Sequence, residues 1–310
     1  MTAEATLYLE GDQVRFTALA ALASGEVLQV PDGRAGYIAN LRGFVLGDQA
    51  AAQVEGIVEV LKTADINLLA GGDAFWDTSA GTATYKIADG DFYLGRAAED
   101  SLAAATTVKV DLNVDPPAFI DLRKNLFDNV LVGSATYTPQ AAGLVNLTLI
   151  VTTEAEKSDL LSALGVPVTR KCIMEFRAAL TAAAGSTDIN IGLASATHAS
   201  DADSIAESVF IHVDGASQNI LAESDDGSTE VAATDTTVDW VAATMFEAWI
   251  DARDLTDIQI YINGVNVLPA TVFKLNAATG PLKALVHAEK SSSTDTAIVR
   301  VEKLRVRTMD

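Results

Sequence analysis

The sequence has 310 residues and a formal net charge of −21, with 21 Lys and Arg against 42 Asp and Glu. A surface this acidic repels phosphate backbones and anionic membranes, so we expect neither nucleic acid nor a membrane as a partner. The 49% hydrophobic content excludes a largely disordered chain, and the length allows two domains with separate cores. The single cysteine, Cys172, excludes an intramolecular disulfide, and its apolar neighbours predict a buried, inert thiol.

The first part of the chain predicts short strands joined by turns. Residues 31–33, PDG, supply one such turn, with proline pre-set for its φ angle and glycine free to take a positive one. In residues 54–62, VEGIVEVLK, apolar residues alternate with glutamates around a central glycine, which favours a strand over a helix. No segment of this part contains the long helix that a crossover between parallel strands requires. We therefore predict a small antiparallel β-barrel or sandwich.

A domain boundary is predicted where two consecutive prolines follow an acidic strand end. Pro116 and Pro117 cannot continue a strand ladder, which indicates a stiff linker over residues 113–118. Residues 119–310 then show many short strands separated by turn signals such as Asn263-Gly264. Their number and spacing predict a larger two-sheet β-sandwich.

One short helix is expected inside this second domain. Thr153 with Glu156 three residues on forms a capping box, and Gly165 supplies a C-terminal stop. The predicted fold class is therefore all-β: a small N-terminal antiparallel barrel or sandwich, followed by a larger sandwich with one short helix.

The sequence contains no motif typical of catalysis. It lacks the Gly-Lys pair of a phosphate-binding loop, any zinc-ligand spacing and a G-x-S-x-G elbow. His198, His212 and His287 lie on separate segments, and nothing in the sequence selects a catalytic arrangement of them. The acids of residues 247–254 do not share one face of a strand, as the paired carboxylates of a glycosidase would require. We expect no enzymatic activity and no cofactor.

Two acidic loops are the candidates for a metal site. One contains Asp201 and Asp203, and the other contains Asp225 and Asp226. Ca²⁺ requires six or more oxygen ligands, and neither loop follows an EF-hand pattern. The favoured interpretation is that these four acids are solvated turn residues, with a calcium site as the alternative.

The terminal strand carries a cluster of basic side chains. Its members are Arg300, Lys303, Arg305 and Arg307. In so acidic a chain this cluster suits a docking edge, but an ordinary solvated face explains it equally well.

The segment GGDAFWDT at residues 71–78 places two aromatics side by side in a chain with few of them. We interpret it as a structural anchor, in which glycine and aspartate fit a turn. Successive strand residues face opposite sides, so one aromatic is expected to point into the core and the other towards a neighbour. Which ring is buried stays open. The signature residues are Gly72, Asp73, Phe75, Trp76 and Asp77.

Four elements together resemble those of bacteriophage head decoration proteins, also called capsid cement proteins. They are GEV at 25–27, VEGI at 54–57, GDAFWD at 72–77 and the final GDFYLGRAAEDSLAAATTVKVDLN hairpin at 90–113. The resemblance covers about residues 8–112. Members of that family are often mislabelled as RecA- or RadA-type phage recombinases, a label that finds no support in a chain without an ATP-binding loop.

The C-terminal part is similar to the lectin-type, concanavalin-like jelly rolls appended to phage structural proteins. The segments ESVFIHVDG, FEAWIDARD, IQIYINGVNV and VEKLRVR carry this resemblance. The chain then divides into a capsid-binding decoration domain at 1–112, the linker at 113–118 and a lectin-like sandwich at 119–310 that projects outward.

What the resemblance implies is a virion protein on the outer surface of an icosahedral head. Its expected partners are the major capsid protein and further copies of itself in a homotrimer. Residues 1–16 show no secretory signal, so the host cytoplasm is the expected location before assembly. Two alternatives remain: a glycan-binding adhesion module displayed on the virion, and a glycosidase.

Overall fold

The structure is a computed structural model that describes residues 12–115, 118–124, 126–140, 144–198 and 201–309. These residues form β-strands, turns and loops without a helix, which confirms the predicted all-β class. No helix of the described chain is therefore long and apolar enough to span a membrane. The chain divides into two compact units, Met1–Pro116 (unit 1) and Pro117–Asp310 (unit 2). Pro116 and Pro117 of the predicted linker lie outside the described residues.

Unit 1 contains two antiparallel sheets. Its strands are β1 (Gln13–Thr17), β2 (Val27–Gln29), β3 (Ala35–Tyr37), β4 (Gln49–Gln53), β5 (Ile57–Leu61), β6 (Asp73–Asp77), β7 (Thr82–Thr84), β8 (Phe92–Ala97) and β9 (Thr107–Leu112). The first sheet has the order β1-β4-β3-β2, and the second has the order β5-β9-β8-β6-β7. The strand predicted within residues 54–62 is confirmed as β5.

Each sheet of unit 1 buries alternate residues, as strand geometry requires. Val30, Ile38, Ala52 and Val54 form the apolar cluster beside the first sheet. On β9 of the second sheet, every second residue from Val108 to Leu112 is buried, and the residues between them are more exposed.

Unit 2 is a two-sheet sandwich. Its strands are β10 (Ile120–Asp121), β11 (Phe127–Val132), β12 (Thr136–Pro139), β13 (Val145–Leu149), β14 (Glu156–Ser162), β15 (Lys171–Ala183), β16 (Thr187–Ala194), β17 (Ser208–Asp214), β18 (Asn219–Asp225), β19 (Glu230–Asp239), β20 (Phe246–Ala252), β21 (Gln259–Ile262), β22 (Val265–Asn266), β23 (Lys283–Lys290) and β24 (Ala297–Met309). Sheet A has the order β12-β13-β24-β15-β20-β21-β22, with β10 paired to β24. Sheet B has the order β11-β14-β23-β16-β17-β18-β19.

One apolar core lies between sheets A and B. Phe176 on β15 and Ile250 on β20 enter it from sheet A, while Ile191 on β16 and Val286 on β23 enter it from sheet B. Side chains at the intervening positions point to the outer faces. This arrangement is the predicted jelly-roll β-sandwich.

The helix predicted after Thr153 is wrong, because Glu156–Ser162 forms strand β14. This strand pairs antiparallel with both β11 and β23, and nearly all of it is buried. The Glu156 carboxylate accepts hydrogen bonds from the Ile150 N–H, at 2.7 Å, and from the Thr152 hydroxyl, so it caps no helix. Pairing with two neighbouring strands outweighs a local capping signal, which is a weak determinant by itself.

The basic cluster of the terminal strand is neither a free edge nor a solvated face. Three of its side chains surround the buried Glu175 carboxylate: Arg305 at 3.1 Å, Arg307 at 3.7 Å and Lys303 at 3.9 Å. Only Arg300 is exposed. Cations on β24 therefore neutralise an acid on the adjacent strand β15.

Candidate functional site

The signature segment forms strand β6 between two turns: the Gly72 N–H donates to the Leu69 carbonyl at 2.9 Å before the strand, and Asp77 accepts hydrogen bonds from the turn after it. The Trp76 ring is buried, at 9% exposure. Phe75 lies on the opposite face and packs edge to face against Tyr93, with ring centroids 5.6 Å apart. Trp76 is thus the inward ring and Phe75 the half-buried outer one.

The other signature residues shape the two ends of β6. The Gly72 carbonyl accepts the N–H of Ala97 on strand β8, and Asp73 lies opposite Arg96 of the same strand. At the far end, Asp77 Oδ1 accepts the Ser79 hydroxyl at 2.7 Å and two backbone N–H groups of the following turn. The Ser79 side chain is the main cause that lowers the pKa of Asp77. These contacts are those of a structural anchor.

Two loops of unit 1 expose large apolar side chains. Leu19, Leu41, Val45 and Leu46, which we call the apolar tip, are between 64% and 91% exposed. The two loops adjoin, because the backbones of Leu22 and Phe44 exchange N–H···O bonds of 2.9 and 2.8 Å. Exposed apolar side chains gathered in one place are typical of an interaction surface.

Backbone contacts hold the loops of the apolar tip together. Ala18 donates its N–H to Asp48 at 2.9 Å and accepts the Gly47 N–H at 2.8 Å. Gly43 has a φ of +67°, and a Cβ at this position would lie 2.1 Å from the Leu22 carbonyl oxygen. The close approach of the two loops therefore requires glycine.

Three of the four candidate acids serve turns. Asp225 and Asp226 each accept a hydrogen bond from the backbone N–H two residues further on. Asp201 accepts the Asp203 N–H at 3.0 Å and the Ser204 hydroxyl at 2.9 Å. Asp203 differs: its carboxylate accepts the Asn190 amide at 2.7 Å and lies 3.7 Å from His212 Nδ1.

Asp203 thereby joins a polar row on the outer face of sheet B. In register across four strands lie Asp159 of β14, His287 of β23, Asn190 of β16 and His212 of β17. Two histidines that are distant in the sequence share one row, because their strands are separated only by β16. The signal available in the sequence was the alternation in TDINIGLA and SVFIHVD, which puts the polar residues of each strand on one face.

Carboxylates surround each imidazole. His287 is fully buried, with Nδ1 2.6 Å from Asp159 and Nε2 3.3 Å from Glu289. Lys157 lies 3.0 Å from the other oxygen of Asp159. Burial alone would lower the pKa of His287, but the hydrogen bonds to Asp159 and Glu289 outweigh it and raise this pKa to about 9.

His212 has three acidic neighbours. Its Nδ1 lies 3.2 Å from Glu223 and 3.7 Å from Asp203, and its Nε2 lies 3.3 Å from Asp188. Burial opposes protonation, yet the adjacent carboxylates of Asp188 and Glu223 outweigh it and raise the pKa of His212 to about 11. Burial also raises the pKa of Glu223, to about 7. The group is rich in negative charge; His212 and Glu223 are buried, whereas Asp188 is partly exposed and Asp203 is exposed.

A cleft of about 520 Å³ opens beside this group. Its acidic lining residues are Asp188, Asp201, Asp203, Asp214, Glu156 and Glu289, with Lys157 and Lys290 as the basic ones. None of its described lining residues is aromatic. The cleft therefore suits polar or cationic ligands better than an apolar one.

Two of the three acids weighed for glycoside hydrolysis form ion pairs, and the third, Asp254, accepts the Thr256 N–H at 2.9 Å and the Thr256 hydroxyl at 2.7 Å. Glu247 lies 2.5 Å from Lys303, and Asp251 lies 2.6 Å from Arg253. Such pairing explains these acids without a catalytic role.

The fold and these sites describe an all-β protein with an exposed apolar surface in unit 1 and a polar sandwich face in unit 2. Residues 9–112 match the model of a family described as "Phage cement protein". This match confirms the predicted resemblance of the N-terminal segment and supports a phage structural role. It covers about a third of the chain. A search of curated proteins finds no match.

Solved structures similar to the chain include carbohydrate-binding domains. The module CBM66 from Bacillus subtilis is 10% identical over 58% of this chain and 94% of its own, with a TM-score of 0.40. A seed lectin isoform of Lotus tetragonolobus is 11% identical over 59% and 98%, with a TM-score of 0.39. The carbohydrate recognition domain of Emp47p is 12% identical over 63% and 94%, with a TM-score of 0.40. TM-scores of this size carry no inference about ligands.

Proposed function

We propose that the protein decorates and stabilises the outer surface of a phage capsid, and that unit 1 binds the shell through the apolar tip. The observation that carries the proposal is that Leu19, Leu41, Val45 and Leu46 are exposed within the segment that matches phage cement proteins. Burying apolar surface against a partner contributes about 25 cal/mol per Å² before the costs of association.

A cement protein acts through linked equilibria. Binding to the assembled shell and not to its separated subunits stabilises the shell by mass action. In this proposal residues 1–112 bind the major capsid protein as part of a homotrimer. Residues 113–118 connect this domain to residues 119–310, which project outward. The role is structural and not enzymatic, and the acidic surface of the protein repels stray nucleic acid.

Mass spectrometry and cryo-microscopy of virions of the phage that encodes this chain test the proposal. The expected result is density for residues 12–115 against the shell, with the apolar tip at the contact. Finding the protein only in unassembled extract, or attached to the shell through unit 2, would refute it.

Glycan binding by unit 2 is a second candidate function, favoured by the open polar cleft on sheet B. A glycan array probed with the full chain tests it. Selective binding that weakens in Asp214→Asn would support this function, because Asp214 lines the cleft. Silence across the array would remove it.

A further inference from the structure

Four side chains from separate segments converge on the outer face of sheet B. Asp188, His212 and Glu223 stand on the adjacent strands β16, β17 and β18, and Asp203 reaches them from the loop between β16 and β17. One ligand atom each from Asp188, Asp203 and His212 all lie within 4.8 Å of one another.

Buried atoms at this point lack hydrogen-bond partners. His212 is 5% exposed and Glu223 is 8% exposed. His212 Nε2 lies 3.3 Å from Asp188 without hydrogen-bond geometry, and Glu223 Oε1 has no hydrogen-bond partner. An unsatisfied buried polar atom is unfavourable, and a cation coordinated by His212 Nε2 would satisfy this nitrogen.

The local charge is also unbalanced. Asp188 and Asp203 carry −2, so even a protonated His212 (+1) leaves a net charge of −1 before Glu223 is counted. In the described part of the chain no Lys or Arg forms an ion pair with Asp188, Asp203 or Glu223; the nearby Lys157 pairs with Asp159.

We propose that Asp188, Asp203 and His212, with Glu223 beside them, bind one divalent transition-metal ion, such as Zn²⁺ or Mn²⁺. A donor set that mixes one imidazole nitrogen with carboxylate oxygens suits these ions, whereas Ca²⁺ takes oxygen ligands alone. The adjoining cleft, which Asp188 and Asp203 also line, gives the ion a route from solvent.

The ion would fasten the loop residues 201–207, which lead into β17, to the sheet. This loop already packs Ala202 and Ile205 against Phe210 and Leu285 on the outer face of sheet B. Asp201 accepts the Asp203 N–H in the same loop, a hydrogen bond that the side-chain oxygen of an Asn also accepts. A metal at this point is thus a structural clamp, independent of how unit 1 attaches to a shell.

Calorimetric titration of the full, untagged and EDTA-treated chain with ZnCl₂, MnCl₂ or CaCl₂ tests the site. We expect one Zn²⁺ or Mn²⁺ per chain, an increase in Tm on binding, and much weaker binding of Ca²⁺. Asp188→Asn and Asp203→Asn should each weaken binding at least about tenfold. Asp201→Asn makes the same charge change in the same loop outside the donor set, and it should leave binding unchanged.

A second measurement separates metal binding from a purely structural role. Without metal, Asp203→Asn relieves carboxylate repulsion, so its Tm should equal or exceed that of the metal-free wild type. Nitrogen NMR of the His212 ring should show a shift on Zn²⁺ addition. No uptake of Zn²⁺ or Mn²⁺, equal weakening by Asp201→Asn, an unperturbed His212 ring, or tighter binding of Ca²⁺ would overturn the proposal.

Discussion

His287 and Asp159 form a fully buried pair, with the imidazole Nδ1 2.6 Å from the carboxylate Oδ1. Glu289 lies on the other side of the ring, at 3.3 Å, and Lys157 lies 3.0 Å from the second Asp159 oxygen. The neutral Asn190 faces His287 from the next strand, β16. A protonated imidazole is therefore held between two acids in the interior of sheet B.

This pair predicts a pH-dependent stability of unit 2. The pKa of His287 is raised from an ordinary 6.5 to about 9. A group whose folded pKa is raised contributes stability that is complete below its unfolded pKa and is lost as pH rises through the folded value. The difference in free energy of unfolding between wild type and His287→Gln should be greatest near pH 6 and shrink by pH 9.5. Denaturant titrations across this range measure it, and a constant difference would contradict the assignment.

Because Glu175 is buried, we expect that removing its charge destabilises unit 2 more than removing the charge of a partly exposed acid does. Arg305, Arg307 and Lys303 surround this acid, which is 1% exposed. Glu175→Gln leaves buried cations without their counter-ion and should destabilise unit 2 by about 3 kcal/mol or more. Glu302→Gln is the matched control, because its ion pair with Arg177 is partly exposed and should contribute less than about 1 kcal/mol. Equal effects of the two substitutions in urea unfolding would show that burial of Glu175 does not determine its contribution.

Asn113, the first residue of the predicted linker, also connects the two sheets of unit 1 through its side chain. Its side-chain amide accepts the Ala35 N–H at 2.8 Å and donates to the Ala35 and Val54 carbonyls at 2.9 and 2.6 Å. Its φ of +58° is in the left-handed region. Asn113→Ala should destabilise unit 1 by about 3 kcal/mol, from lost hydrogen bonds and backbone strain.

Asn113→Gly separates these two causes, since glycine removes the amide without strain. Its destabilisation should be smaller than that of Asn113→Ala but still measurable by thermal unfolding. A Gly variant as stable as wild type would show that the amide contributes nothing.

The burial of Cys172 predicts that its thiol is unreactive in the folded protein. It is buried in the core of unit 2, and burial raises its pKa to about 12. Because the thiolate is the reactive form, a thiol reagent such as Ellman's should not label the native protein at pH 8. One thiol per chain should react after unfolding in guanidinium. Rapid labelling of the folded chain would contradict this burial.

Local sequence patterns predicted a half-buried edge strand correctly, but they did not predict a strand that is buried on both faces. Alternation around Gly56 correctly indicated strand β5, because a half-buried edge strand shows its period in the sequence. The segment at Glu156–Ser162 is buried on both faces between two strands, so no alternation was visible and the capping signal was misleading. Fold class could be predicted, while the pairing of distant strands could not.

The candidate site shows the same limit. Asp203 and His212 were considered separately, one as a metal-site acid and the other as a catalytic histidine, whereas Asp188 and Glu223 were not considered. Alternation places each partner on the outward face of its own strand, yet only strand order and register bring those faces together. The burial that distinguishes His212 and Glu223 from solvated acids and histidines is likewise a property of the folded sheet.

The most direct test of the capsid contact proposed for unit 1 is co-sedimentation of the purified protein with phage heads that lack this protein. Leu46→Asp places a charge on the apolar tip and should reduce binding at least about tenfold, because burying an unpaired charge is costly. Val241→Asp introduces the same charge at a similarly exposed site of unit 2, 60% against 69% exposure, and should bind as wild type does. Unchanged binding of Leu46→Asp, or no co-sedimentation of the wild-type chain, would contradict the account.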